Sequence, residues 1–178
     1  MVVQDLPVQQ DLTTLPGDSM VAQIKARLAA IEVTYPPTPK AFSEGPVTLP
    51  EDLLPVWVNF ATGGTYEIVE DDGSSRLVII KRNFLARLYV ANVQAGVDGE
   101  AELKTEQHIE PASKLFLARP FLSVANFGPL SHVFSAKSLG DGGIQVMPYG
   151  PKPAVPFLGT EHRIEVIYQI RVSYASGN

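Results

Sequence analysis

The chain has 178 residues, which fits one domain, or one domain with arms, and is long enough to bury an ordinary core. Hydrophobic residues make up 45% and charged residues 19%, too apolar for a disordered chain and too evenly mixed for a membrane protein. The net charge of -5 disfavours a general grip on nucleic acid, and the absence of cysteine removes disulfides, thiolate metal sites and cysteine nucleophiles together.

Residues 1–17 are polar with scattered leucines and end at Pro16-Gly17, so they read as an N-terminal arm on a single domain spanning 18–178. The first residues show no basic stretch followed by an apolar run, and no apolar run approaches the length of a membrane helix. The expectation is synthesis in a cytoplasm, with no membrane partner. Met20, Ile24, Leu28 and Ile31 then form one apolar stripe behind a capping Asp18 or Ser19, predicting a helix that stops before Tyr35-Pro36-Pro37. From Pro36 to Pro55 there are six prolines, so 35–56 reads as an extended loop, either a plain connection or a contact loop.

β-signals begin at Leu54 to Phe60 and return after Gly63-Gly64. Thr65 to Glu70 and Arg76 to Val90 flank Asp71-Asp72-Gly73-Ser74, the pattern of a hairpin with a long second strand. Val78, Ile80, Phe84, Ala86, Leu88 and Val90 share one face of that strand, interrupted by Arg82, while Leu77, Ile79, Leu85 and Tyr89 line the other. Both faces are therefore expected to be covered. Helical signals run from Asp98 to Leu122, where Pro111 either kinks one helix or opens a second. His132 to Ser138 and Ile144 to Tyr149 are strand candidates around a Leu139-to-Gly143 turn, and 148–159 is a second proline-rich loop. Ile164, Val166, Tyr168, Ile170, Val172 and Tyr174 alternate with mainly polar residues in the clearest strand of the chain. The expected fold is α+β: a mostly antiparallel sheet with a long hairpin, helices packed on one face, and long proline-rich loops.

No constellation points to catalysis, and no cofactor is expected. Gly140-Asp-Gly-Gly143 lacks the Gly-Lys-Ser/Thr ending of a phosphate loop and reads as a turn. His108, His132 and His162 fall in separate elements, and a metal site from His108 with Glu106 or Glu110 has little to favour it. Glu70, Asp71 and Asp72 form an acidic group, but the ligand alternation of a calcium loop is missing and the Asp-Gly turn explains the aspartates. Glu51-Asp52 reads as a solvated pair, and Lys81, Arg82 and Arg87 lack the interleaved aromatics of a single-strand platform. Trp57, Phe60 and Phe157 read as core or sheet residues. Trp57 and Phe157 also lie beside proline-rich stretches, where aromatics can anchor interfaces.

The order of elements resembles the tail terminator, or tail completion, proteins of long-tailed (siphovirus-like) bacteriophages. The features that carry this are the helix Ser19 to Glu32, the proline-rich passage to Leu54–Phe60, the pair Thr65 to Ala91, the helical segment Asp98 to Leu122, the Leu-Gly-Asp-Gly-Gly turn at 139–143, and a last strand after Phe157-Leu158-Gly159. The resemblance implies a structural virion protein rather than an enzyme. It implies a homo-oligomeric ring, usually a hexamer, on the head-proximal end of the tail tube, stopping tube polymerisation and joining the tube to head-completion or connector proteins. DNA only passes through the channel. On this expectation Trp57 and Phe60 form one subunit interface patch and Phe157 and Leu158 the other, while Glu70, Asp71 and Asp72 lie on the channel or ring rim. The alternatives are another head-tail connector or minor tail component, or a small-ligand domain or enzyme with a dispersed site.

Overall fold

Ser19 caps the first helix, α1 (Met20–Glu32), its Oγ accepting from Ala22 N at 3.1 Å. Met20, Ile24, Leu28 and Ile31, one helical turn apart, are all buried. The computed structural model describes residues 19–34, 40–93, 99–124 and 132–174; the N-terminal arm, Asp98 and Phe127-Gly128-Pro129 lie outside the described residues.

Six strands follow: β1 (Lys40–Phe42), β2 (Val56–Asp71), β3 (Ser75–Asn92), β4 (Val133–Asp141), β5 (Gln145–Tyr149) and β6 (Val155–Ser173), with α2 (Gly99–Leu117) between β3 and β4. They form one sheet in the order β1-β2-β3-β6-β4, and β5 pairs with the first part of β6. β1 runs parallel to β2 and every other pairing is antiparallel, so the sheet is mixed and the fold broadly α+β.

Several details depart from expectation. The passage 35–56 contains β1, a short edge strand whose three residues keep their N–H groups between Pro39 and Pro46, and a 3₁₀ turn at Glu51–Leu53. The passage 148–159 is mostly strand: Pro148 stands opposite Pro156, a pair position at which neither residue owes the ladder an N–H. β2 is one strand across Gly63-Gly64, with a bulge between Ala61 and Gly64. A Cβ on Gly64 would lie 2.7 Å from Lys81 O, so the bulged strand needs glycine there. At Gly159, opposite Tyr89 and beside the bulge between Tyr89 and Ala91, a Cβ would lie 1.9 Å from Leu88 O.

α2 is a single helix through Pro111, which lies on its exposed side. Ala101, Thr105, His108, Ala112 and Phe116 are its buried ridge, mostly small residues that let it sit close to the sheet. Both helices share one core with Trp57, Phe84, Ala86, Leu88, Val90, Ile164, Val166 and Tyr168. On the opposite face Leu49, Met147 and Tyr149 cover Val56, Val58, Tyr89 and Phe157.

Candidate assembly surface

The sheet continues as a limb made from the second half of β2, the first half of β3 and the end of β6, with the start of β4 alongside β6 as far as Tyr168 and three strands beyond it. Cross-strand rows run Tyr66–Ile80–Tyr168 and Ile68–Val78–Ile170 on the face that is continuous with the helix-covered core. Toward β6 these rows are buried or half-buried. Toward β2 they open: Tyr66 is 77% exposed and Ile68 and Val69 are each 46% exposed. β1 pairs only with Val56–Val58, so from Asn59 to Asp71 the outer edge of β2 has no strand neighbour among the described residues.

The tip of the limb is tightly bonded. Asp72 Oδ1 accepts from Ser74 N at 2.8 Å, Ser75 N at 2.6 Å and Ser74 Oγ at 2.8 Å, and Oδ2 accepts from Ser75 Oγ at 3.0 Å. These donors, Ser74 foremost, hold the Asp72 carboxyl well below the usual carboxylate range. Asp71 accepts from the Tyr174 hydroxyl, from Arg76 Nε at 2.8 Å and from Gly73 N at 3.1 Å; the Tyr174 bond contributes most to the lowering of its carboxyl. Arg171 lies 3.4 Å from Glu70, 3.7 Å from Asp72 and 3.0 Å from Ser75 Oγ. The structure thus brings Glu70, Asp71 and Asp72 together at an exposed tip, but with Arg76 and Arg171 among them, so the tip is a charge-paired staple rather than a bare acidic rim.

The expected interface aromatics lie elsewhere. Trp57 is 0% exposed and packs edge-on to Phe116, ring centroids 6.0 Å apart, and beside His162 at 5.7 Å. Phe157, 2% exposed, packs against Tyr89 at 5.8 Å, and Leu158 is 5% exposed. A surface role for these three is corrected by their burial: Trp57 lies in the core beneath the helices, Phe157 packs on the opposite face with Leu49 and Tyr149 from the proline-rich passages, and Leu158 is enclosed within β6. Phe60 alone is half-buried, beneath the Arg87 guanidinium at 5.1 Å, with Arg87 in turn 2.8 Å from Glu161. The four residues do not gather into two patches.

Sequence reading missed the open edge itself. Thr65 to Glu70 alternates like any half-covered strand, and nothing local reveals whether a neighbour lies alongside. On the far side of the sheet β4 exposes Phe134 and Leu139, 42% and 47% accessible, with Lys137 between them. The Gly140–Gly143 segment is a turn, Asp141 Oδ1 accepting from Gly143 N at 3.0 Å. His108 and His162 are both buried, and burial lowers the basicity of each, that of His162 to about 4. Among the described residues no group of three or more acidic or histidine side chains is placed to hold a metal ion, and no helix is long and apolar enough to cross a membrane. The chain matches no family model and no curated protein.

Proposed function

We propose that the chain is a structural subunit of a virus particle, of the tail terminator kind, which closes into a ring on the head-proximal end of a tail tube and there receives the head-side connector. The observation that carries this reading is the open edge of β2: a rigid, stapled limb that exposes Tyr66, Ile68 and Val69. Residues 63–71 also carry Glu67, Glu70 and Asp71 and no basic residue. Two copies pairing this segment with itself would bring Glu67 and the partly neutralised Glu70 and Asp71 of both chains together with no lysine or arginine in the segment to offset them, which disfavours a two-fold dimer. Contact with a different surface is favoured instead, and repeated heterologous contacts are what close a ring. The Phe134–Lys137–Leu139 side of β4 supplies apolar groups and a cation on the opposite flank of the sheet.

On this reading the protein works by shape. Ring closure stops tube growth by covering the last tube subunits, and the net charge of -5 lets DNA pass without a phosphate-holding lysine or arginine surface. Light scattering on the purified protein, alone and with tail-tube subunits, tests it. A ring of about six copies is expected, either free or only at tube ends. A monomer indifferent to tube subunits over a wide concentration range would overturn it.

A further inference from the structure

Glu32 ends α1 with its side chain wholly inside the fold, and Asn59 on β2 is 2% exposed. Asn59 Nδ2 donates to Glu32 Oε2 at 2.8 Å and to Phe42 O at 3.3 Å, so one carboxamide ties α1, β1 and β2 together. The remaining oxygen of each group, Glu32 Oε1 and Asn59 Oδ1, is buried and has no hydrogen-bond partner among the described residues. Two acceptors left over on two groups that already share a bond mark a missing proton. An ionised carboxylate and a carboxamide oxygen can only accept, so neither can satisfy the other. A proton on Oε1 makes it a donor, and Asn59 Oδ1 is the unfilled acceptor on the group already bonded to it.

Among the described residues no cation is ion-paired with Glu32. On α1, Lys25 is ion-paired with Glu44, two residues past β1, and Arg27 lies off the apolar stripe. Lys40 on β1 is exposed. α2 contributes His108, and β6 contributes His162, in the same cross-sheet row as Asn59 and Ala86; burial drives both toward the neutral form.

We infer that Glu32 is carried as a neutral carboxylic acid, joined to Asn59 by a pair of hydrogen bonds that latch the end of α1 to β1 and β2, and that loss of this proton opens the latch. Burial raises the carboxyl from 4.5 to about 8, the Asn59 bond opposing the rise. Between those values the folded chain holds a proton that the unfolded chain lacks, so folding weakens with rising pH, by about tenfold in the equilibrium constant per pH unit from this group. The latch sits where β2 leaves β1 and its open edge begins, so ionisation loosens the foot of the limb.

The Glu32 carboxyl carbon, followed by NMR in the full-length protein from pH 5 to 9, reads the proton directly. A protonated signal at pH 7 that titrates near pH 8 is expected; an ionised signal at pH 7 would overturn the inference. Glu32→Gln provides a second measurement, because its amide N–H can donate to Asn59 Oδ1 at any pH. The variant should lose the alkaline fall in stability that the parent shows between pH 6.5 and 8. Equal profiles for variant and parent would overturn the inference, and if the variant does not fold, the carbon titration of the parent decides.

Discussion

Arg76 and Tyr174 clasp one carboxylate from two strands: Arg76 Nε stands 2.8 Å from Asp71 Oδ2 and 2.6 Å from the Tyr174 hydroxyl, which itself donates to Asp71 Oδ1. The guanidinium also lies over the Tyr174 ring, 4.9 Å from its centroid. This clasp joins the residue after β6 to the turn between β2 and β3, nearly 100 residues earlier in the chain.

Removing one hydroxyl should therefore loosen the limb tip and little else. In Tyr174→Phe, hydrogen exchange at the amides of Gly73 and Ser74 should speed up while the thermal midpoint hardly moves, since exposed pairs contribute little to global stability. Unchanged exchange at those amides would mean the clasp is incidental.

Glu32 and His162 pull the pH dependence of stability in opposite directions. Stability from the Glu32 proton is complete below 4.5 and lost as pH rises through about 8. His162 is buried neutral with its value lowered from 6.5 to about 4, so its unfolded form takes up a proton in that interval and stability rises with pH across it. Between pH 4.5 and 6.5 His162 offsets Glu32, and His108, whose basicity burial also lowers, adds to the rise toward pH 6.5; above 6.5 stability falls by about 1.4 kcal/mol per pH unit up to pH 8. In His162→Leu the offset below pH 6.5 should shrink to what His108 supplies, and at pH 7 the variant should be no less stable, because both ring nitrogens of His162 lack hydrogen-bond partners among the described residues. Urea midpoints measured from pH 4 to 9 check both statements.

Trp57→Ala should cost about 3–5 kcal/mol, the usual loss for a large buried aromatic, which is a large share of the stability of a domain this size. Denaturant melts of the isolated subunit measure it. A well-folded variant that merely failed to assemble would return Trp57 to a subunit interface.

The open edge of β2 predicts a charge exchange. Glu67→Lys and Lys137→Glu should each weaken self-association, and the double variant should recover it, with every variant folded because both side chains are exposed. Tyr66→Lys should weaken association without lowering the denaturation midpoint. Sedimentation velocity distinguishes these outcomes, and a failed rescue would separate the β2 edge from the β4 flank while leaving ring formation itself open to the light-scattering test.

Local pattern carried some elements and not others. α1 was legible because Met20, Ile24, Leu28 and Ile31 keep helical spacing behind a capping serine, and β6 because Ile164 to Val172 alternate almost without fault. α2 was harder: its buried ridge is largely alanine and threonine, which carry weak apolar signal yet suit a close approach, and Pro111 reads as a break until it is seen to face water. β1 could not be read, since three residues between prolines gain strand form only from β2 beside them. At the candidate surface the acidic tip was visible in Asp71-Asp72-Gly73, but its neutralisation depends on Arg171, about 100 positions away. Prolines near Trp57 and Phe157 imply open loops, whereas the helices cover Trp57 and the proline-rich passages fold back to cover Phe157. Glu32 falls off the apolar stripe of α1 and so reads as a solvated carboxylate at a helix end until its burial is known, and nothing local marks Asn59 as its partner.

The closeness of β3 and β6 at Gly159 bears on how kindred chains can be recognised. Any side chain there would collide with Leu88 O, and Gly64 meets a similar limit at Lys81 O. Any chain keeping this strand packing must keep two bare backbone positions, 95 residues apart, or move backbone to make room. A signature of this kind is written in missing atoms, and a search keyed to functional side chains passes over it.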